Sequence, residues 1–144
     1  MPGYSGTPLP KKLGIKNGFR ALMVRAPEDV RTELREALAG CEVRGEPRGA
    51  LDFAMVFTES RAELAREFKR VAKELAPAGM LWISWPKKSS GVKTDLDENV
   101  VREVGLAAGL VDVKVCAVTE VWSGLKFVRR LKDRKFPSHR ETGG

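Results

Sequence analysis

Apolar and polar positions along this chain change period repeatedly, and each change marks an element. Residues 1–18 hold Pro2, Pro8, Pro10 and four glycines, which predicts an irregular arm; within it, residues 8–14 suit one helical turn stopped by Gly14. Residues 19–25 read as a strand introduced by Asn17-Gly18. Pro27, Glu28 and Asp29 then open a helix that runs to Ala39, with Val30, Leu34, Ala37 and Leu38 on its apolar stripe and Gly40 as its stop. Residues 41–44 suggest a short edge strand. Residues 51–58 are nearly all apolar, as in a strand covered on both faces.

Ser60 with Glu63 three residues later predicts a capping box, and the helix behind it extends to Leu75 or Ala76 with Leu64, Phe68, Val71 and Leu75 on one face. Pro77, Ala78 and Gly79 then read as a turn, residues 80–85 as a buried strand, and residues 86–91 as a basic loop. Thr94 or Asp95 is the expected cap of a helix from Asp97 to Ala108, which Gly109 ends. Residues 111–118 and 125–131 form two more strands, with Ser123-Gly124 as the expected reversal between them. Residues 132–144, polar and ending in two glycines, predict a basic disordered tail. The resulting order is β-α-β-β-α-β-α-β-β. It predicts one Rossmann-like α/β domain over residues 19–131, a three-layer sandwich whose mostly parallel sheet ends in an antiparallel hairpin.

Composition bounds the classes. At 144 residues the chain suits a single core, and no apolar run approaches the roughly 20 residues that cross a bilayer. The net charge of +7 is concentrated: residues 1–20 carry four cations and no acid, residues 129–144 carry six against Asp133 and Glu141, and each end supplies +4, leaving −1 for the body. Basic ends of this kind are ordinary solubilising termini, so nucleic acid is an unlikely but not excluded partner. Cys41 and Cys116 are far apart in apolar settings and His139 is the one histidine, which gives no metal-ligand cluster and fits buried thiols in a reducing cytoplasm. No nucleophile–histidine set assembles either, since His139 lies in the tail. The acidic pairs Glu28/Asp29 and Asp97/Glu98 stand at helix starts, where the helix dipole accounts for them.

Residues 51–57 resemble the fourth strand of the S-adenosylmethionine-dependent methyltransferase fold. Residues 68–75 resemble the helix end that precedes its glycine turn, residues 80–86 its fifth strand, and residues 105–118 with 122–129 its closing hairpin. A second resemblance, to a small family of uncharacterised bacterial proteins, rests on three stretches. They are residues 4–9 with 11–15, Trp85-Pro86-Lys87-Lys88 with Ser90-Gly91, and residues 113–116 with Trp122-Ser123-Gly124-Leu125. The first resemblance implies S-adenosylmethionine as cofactor and a glycine-rich turn after the first strand, where backbone N–H groups approach the ligand closely. This chain has Arg25-Ala26-Pro27-Glu28-Asp29 there, with no glycine and an N–H missing at Pro27. Glu46 stands where a ribose-binding acid would, and no helix is predicted between the second strand and the one bearing Asp52. The reading is therefore a non-catalytic binding or regulatory protein without a cofactor; a divergent methyltransferase is the alternative.

In open α/β sheets ligands bind beyond the carboxyl ends of the strands, which directs attention to residues 86–95. Lys87, Lys88, Ser89, Ser90, Thr94 and Asp95 place cations and hydroxyls before a predicted helix start, suited to an anionic small molecule or a protein partner. Trp122, followed by Ser123, offers a planar face beside them. Tyr4, Ser5, Lys11 and Lys12 of the arm are candidates for a lid over the strand ends. Trp82 and Trp85, three apart on one strand, must point to opposite faces.

Overall fold

A computed structural model describes residues 6–134. Helix α1 (Leu9–Leu13) comes first and ends at Gly14 (φ 85°), as its sequence predicts. Strand β1 (Arg20–Val24), helix α2 (Glu28–Ala39), strand β2 (Glu42–Arg44) and strand β3 (Leu51–Phe57) follow. After them come helix α3 (Arg61–Ala72), strand β4 (Leu75–Pro86), helix α4 (Glu98–Ala107), strand β5 (Leu110–Ala117) and strand β6 (Trp122–Arg129). The sheet order is β2-β1-β3-β4-β6-β5. Strands β1 to β4 are mutually parallel, and β6 runs antiparallel to both of its neighbours. No helix intervenes between β2 and β3, and β2 is a three-residue edge strand, as expected.

Alternation along β3 and β4 sends side chains to both faces, and a helical layer buries each. Leu9 and Leu13 of α1 and Val30 and Leu34 of α2 pack with Phe53, Met55, Phe57 and Trp82 on one side. Leu64, Phe68 and Val71 of α3 and Val101 of α4 pack with Val56, Leu81, Ile83, Trp85 and Phe127 on the other. Trp82 and Trp85 thus enter opposite cores.

Four boundaries differ from the sequence expectation. Helix α3 stops at Ala72, and residues 75–79 belong to β4 rather than to a helix end and turn. Leu75 pairs with Leu51, after which the register jumps so that Phe53 pairs with Met80, and the bulge takes up Pro77 and Gly79. Gly79 is required there, because a Cβ would lie 2.3 Å from the Leu51 carbonyl oxygen. Burial of Leu75 and Ala76 against the sheet outweighs their helical periodicity. At the second boundary, Asp97 rather than Thr94 or Asp95 caps α4, its carboxylate accepting the Val100 N–H at 2.9 Å.

The third concerns Ser123-Gly124, which lies within β6, paired with Trp85 and Ser84 on β4; the reversal occupies residues 118–121. Gly124 serves packing instead, since a Cβ would meet Trp82 at 3.2 Å and Val118 at 3.0 Å. The last strand correspondingly ends at Arg129, and Leu131–Arg134 forms a 3-10 turn, so residues 132–134 are ordered where a disordered tail was expected. The remainder of that predicted tail lies outside the described residues. Both thiols are free and half-buried rather than fully buried.

Candidate functional site

The carboxyl ends of β1 and β3 open into a cleft of about 570 Å³. Its apolar wall is Phe57, the last residue of β3, packed edge-to-face against Trp122 at a ring separation of 5.1 Å and 81° between planes. Arg25 and Pro27 form the side above β1, and Thr58, Ser60 and Glu63 the side above β3. Arg25 turns the chain out of β1 in the left-handed region (φ 61°), which a residue with a Cβ adopts only when its surroundings hold it there. Its guanidinium pairs with Glu63 and, at 3.9 Å, with Glu67. Glu67 is itself buried on α3 and receives two hydrogen bonds from Arg70, at 3.0 and 2.8 Å.

Glu63 is the hub of this network. Ser60 accepts the Glu63 N–H at 3.1 Å, the first half of the predicted capping box. The second half is displaced: the Glu63 carboxylate accepts from the Glu59 N–H at 3.1 Å and from the Thr58 hydroxyl at 2.8 Å. Burial pushes this carboxyl up, but the Thr58 hydroxyl, the Glu59 N–H and the Arg25 and Arg66 guanidinium groups outweigh it and hold it below its ordinary value. A lowered carboxyl contributes stability that is fully present above its unfolded-state value, the ordinary glutamate value of about 4.3, and is lost as pH falls through the lower folded-state value. A Glu63→Gln variant should therefore lose less melting temperature than wild type between pH 6 and about pH 3. Thermal melts across that range check this; equal losses would show that the carboxylate is not linked to folding.

The predicted basic loop sits beside this cleft and is tied down at several points. The Lys87 N–H donates to the Val121 carbonyl at 2.7 Å, joining the loop to the β5–β6 turn next to Trp122. Lys88–Ser90 is a 3-10 turn ended by Gly91 (φ 80°). The Ser90 hydroxyl donates to the Lys87 carbonyl at 2.7 Å and accepts the Val92 N–H at 3.1 Å. The Thr94 hydroxyl donates to the Glu59 carbonyl at 2.5 Å. Asp95 accepts the Arg61 N–H at 2.8 Å, so its carboxylate occupies the anion-favouring start of α3 rather than capping α4.

Ser90, Thr94 and Asp95 thus build the loop, whereas Lys87, Lys88 and Ser89 have no side-chain partner among the described residues. Trp122 reaches the cleft; Ser123, paired with Ala117 and Trp85 within the sheet, does not line it. The expected lid divides. Tyr4 and Ser5 lie outside the described residues. Lys11 is exposed on α1, and Lys12 donates to the Ala117 carbonyl at 3.1 Å on the α1 side of β5, away from the cleft. Arg25, Thr58 and Glu63 were not legible as site residues, because a left-handed arginine and a displaced cap leave no sequence signal. Among the described residues no group of His, Cys, Asp and Glu is arranged to hold a metal, and no helix is long and apolar enough to cross a membrane.

Residues 10–131 match the family DUF3052, described as a protein of unknown function. The chain belongs to that family. No curated protein matches it. Among solved structures, this DUF3052 chain is similar to DhpI in complex with S-adenosylhomocysteine (TM-score 0.58, 14% identity, covering 85% of this chain and 82% of that one). It is similar also to a putative type 11 methyltransferase from Sulfolobus solfataricus (TM-score 0.53, 16% identity, 85% and 89% covered). Magnesium protoporphyrin IX methyltransferase from Synechocystis PCC 6803, with bound S-adenosylhomocysteine, gives TM-score 0.53 at 12% identity, with 79% and 75% covered. At these identities the likeness establishes the fold. The DUF3052 chain has a methyltransferase-like Rossmann architecture, mostly parallel, with an antiparallel β4-β6-β5 portion.

Proposed function

We propose that this DUF3052 protein is a non-catalytic binding or regulatory protein that takes an anionic, planar small molecule at the carboxyl ends of its strands. The observation that carries the reading is the turn after β1. Where the fold's cofactor binders place glycines, this chain has Arg25 locked to Glu63 and Glu67, followed by Pro27 with no N–H to offer. A ligand carboxylate entering there would meet the acids of that network. The uncommitted charge lies one strand further on, at Lys87 and Lys88, in a loop whose backbone is joined to the turn just before Trp122, and the Trp122 ring in the cleft wall is the candidate stacking surface.

Two titrations test this. Calorimetry with S-adenosylmethionine and S-adenosylhomocysteine should show no saturable micromolar binding; such binding would replace this reading with a divergent methyltransferase. Adenosine monophosphate, which joins a phosphate to a planar base, should bind saturably and weaken by about tenfold in a Lys87→Ala/Lys88→Ala variant, the loss of about one charge-assisted hydrogen bond. The variant's melting temperature should stay within about a degree of wild type, since exposed charges of this kind contribute little to folding. A large drop would instead mark the loop as structural.

A further inference from the structure

On the α1 side of the sheet, strands β5 and β6 set two lysines directly opposite each other: Lys114 and Lys126 are partners in the register. Like charges so placed repel and destabilise a sheet. Across β6 the same register carries Lys126 to Trp82, whose indole lies in the core beneath α1. Neither lysine forms an ion pair among the described residues. Among the described residues the Lys114 ammonium makes one hydrogen bond, donating to the Lys12 carbonyl at 3.2 Å. Lys12 in turn lies over Ala117, and Cys116, on the same face, feels the positive charge of both Lys12 and Lys114.

The backbone turns the acid nearest to Lys114 in sequence, Asp112, away from this face. The register of β5 slips between Asp112 and Lys114, leaving Val113 as the extra residue of a bulge. Without that bulge Asp112 and Lys114, two apart, would share a face, and the carboxylate would neutralise the ammonium. With it, Asp112 pairs with Phe127 and turns to the other side, where it accepts from Arg102 of α4 at 2.9 Å. Burial, then the charge of Lys114, depresses the Lys126 ammonium below its ordinary value, consistent with an uncompensated cation against the sheet.

We propose that Lys114 and Lys126 form a second anion site, on the α1 face of the β5–β6 ribbon, that binds a small phosphate-class oxyanion bridging the two ammonium groups. Several anionic oxygens close together convert the cross-strand repulsion into paired, charge-assisted hydrogen bonds. This site lies on a different part of the molecule from the strand-end cleft and stands or falls independently of it.

The probe is inorganic pyrophosphate, added to the full chain at constant ionic strength and read by melting temperature. Wild type should show a saturable rise beyond that of matched sodium chloride, from binding to the folded state. Lys126→Met and Lys114→Met should each weaken the apparent affinity by about tenfold or more, the loss of one charge-assisted contact. In chloride alone Lys126→Met should not melt below wild type, because it removes a repulsion and no hydrogen bond, whereas Lys114→Met also gives up its bond to the Lys12 carbonyl. The Lys87→Ala/Lys88→Ala variant should keep the full response. A wild-type response no greater than that of chloride, a response retained in both methionine variants, or one lost in the Lys87→Ala/Lys88→Ala variant would each overturn the proposal.

Discussion

A Trp82→Ala variant is expected to lose about 3–5 kcal/mol of folding stability, the range for removing a fully buried large aromatic side chain. Trp82 has no exposed surface and sits mid-sheet on β4, between Met55 of β3 and Lys126 of β6. Two separate features make the loss large. The ring packs over Gly124, where an added Cβ would come within 3.2 Å of it, so alanine at position 82 would leave a void beside a residue with no side chain to fill it. The indole N–H also donates to the Leu13 carbonyl at 2.9 Å, satisfying one of the unpaired carbonyls at the end of α1. A helix of five residues cannot hold itself together, so α1 depends on this anchor and on its buried Leu9 and Leu13.

Trp82→Phe separates the two contributions. It keeps an aromatic body and strands the carbonyl, so it should cost about 1–3 kcal/mol. Urea unfolding of both variants measures this, and against a typical total of 5–15 kcal/mol the alanine variant should show a clearly lowered midpoint. Equal, small losses from both would mean that the α1 anchor contributes nothing.

The element order was readable because burial and period agree in most of the chain. The continuous apolar run of β3 and the striped faces of α2 and α4 each admit one interpretation. The boundary at residues 73–79 was not readable, since Leu75 continues the helical stripe of Leu64, Phe68 and Val71 as well as it begins a strand. Only pairing with Leu51, fixed by the tertiary fold, decides between them. The Ser123-Gly124 dipeptide misled for a related reason: glycine permits a turn but also permits close packing, and here Trp82 uses the second property.

The same limit applies to the site. The expectation of a site at the strand ends follows from an α/β order, and Trp122 lines the cleft there. The acid–base wiring was hidden, because Asp95 and Thr94 look like caps of the helix that follows them and instead brace the start of α3, more than thirty positions earlier in sequence. Polar side chains in loops carry no period to betray their partners. The bulge at Val113 is equally silent in sequence, although it decides which face of the sheet receives Lys114.

Gly105→Ala is the second change with a large expected effect, and its direction runs against helix propensity. Position 105 lies inside α4, where alanine is ordinarily favoured over glycine by about 1 kcal/mol. Here a Cβ would stand 2.0 Å from one Phe127 ring carbon and within 2.7 Å of two more. The ring has little freedom to retreat: Phe127 has no exposed surface and is packed edge-to-face on Phe68 at 5.2 Å. Helix and sheet must therefore separate, at the 1–3 kcal/mol typical of overpacking or more. The net result should be destabilisation despite the better helix former. A Phe127→Leu change in the same chain removes the ring carbons that clash, so the double variant should be more stable than the sum of the single losses predicts, by about 0.5–3 kcal/mol. Denaturant unfolding of the four proteins in that cycle provides the measurement. Strict additivity would show that the glycine is present for some reason other than the approach of α4 to β6, whereas a strong positive coupling identifies this contact as the one that seats α4 on the sheet.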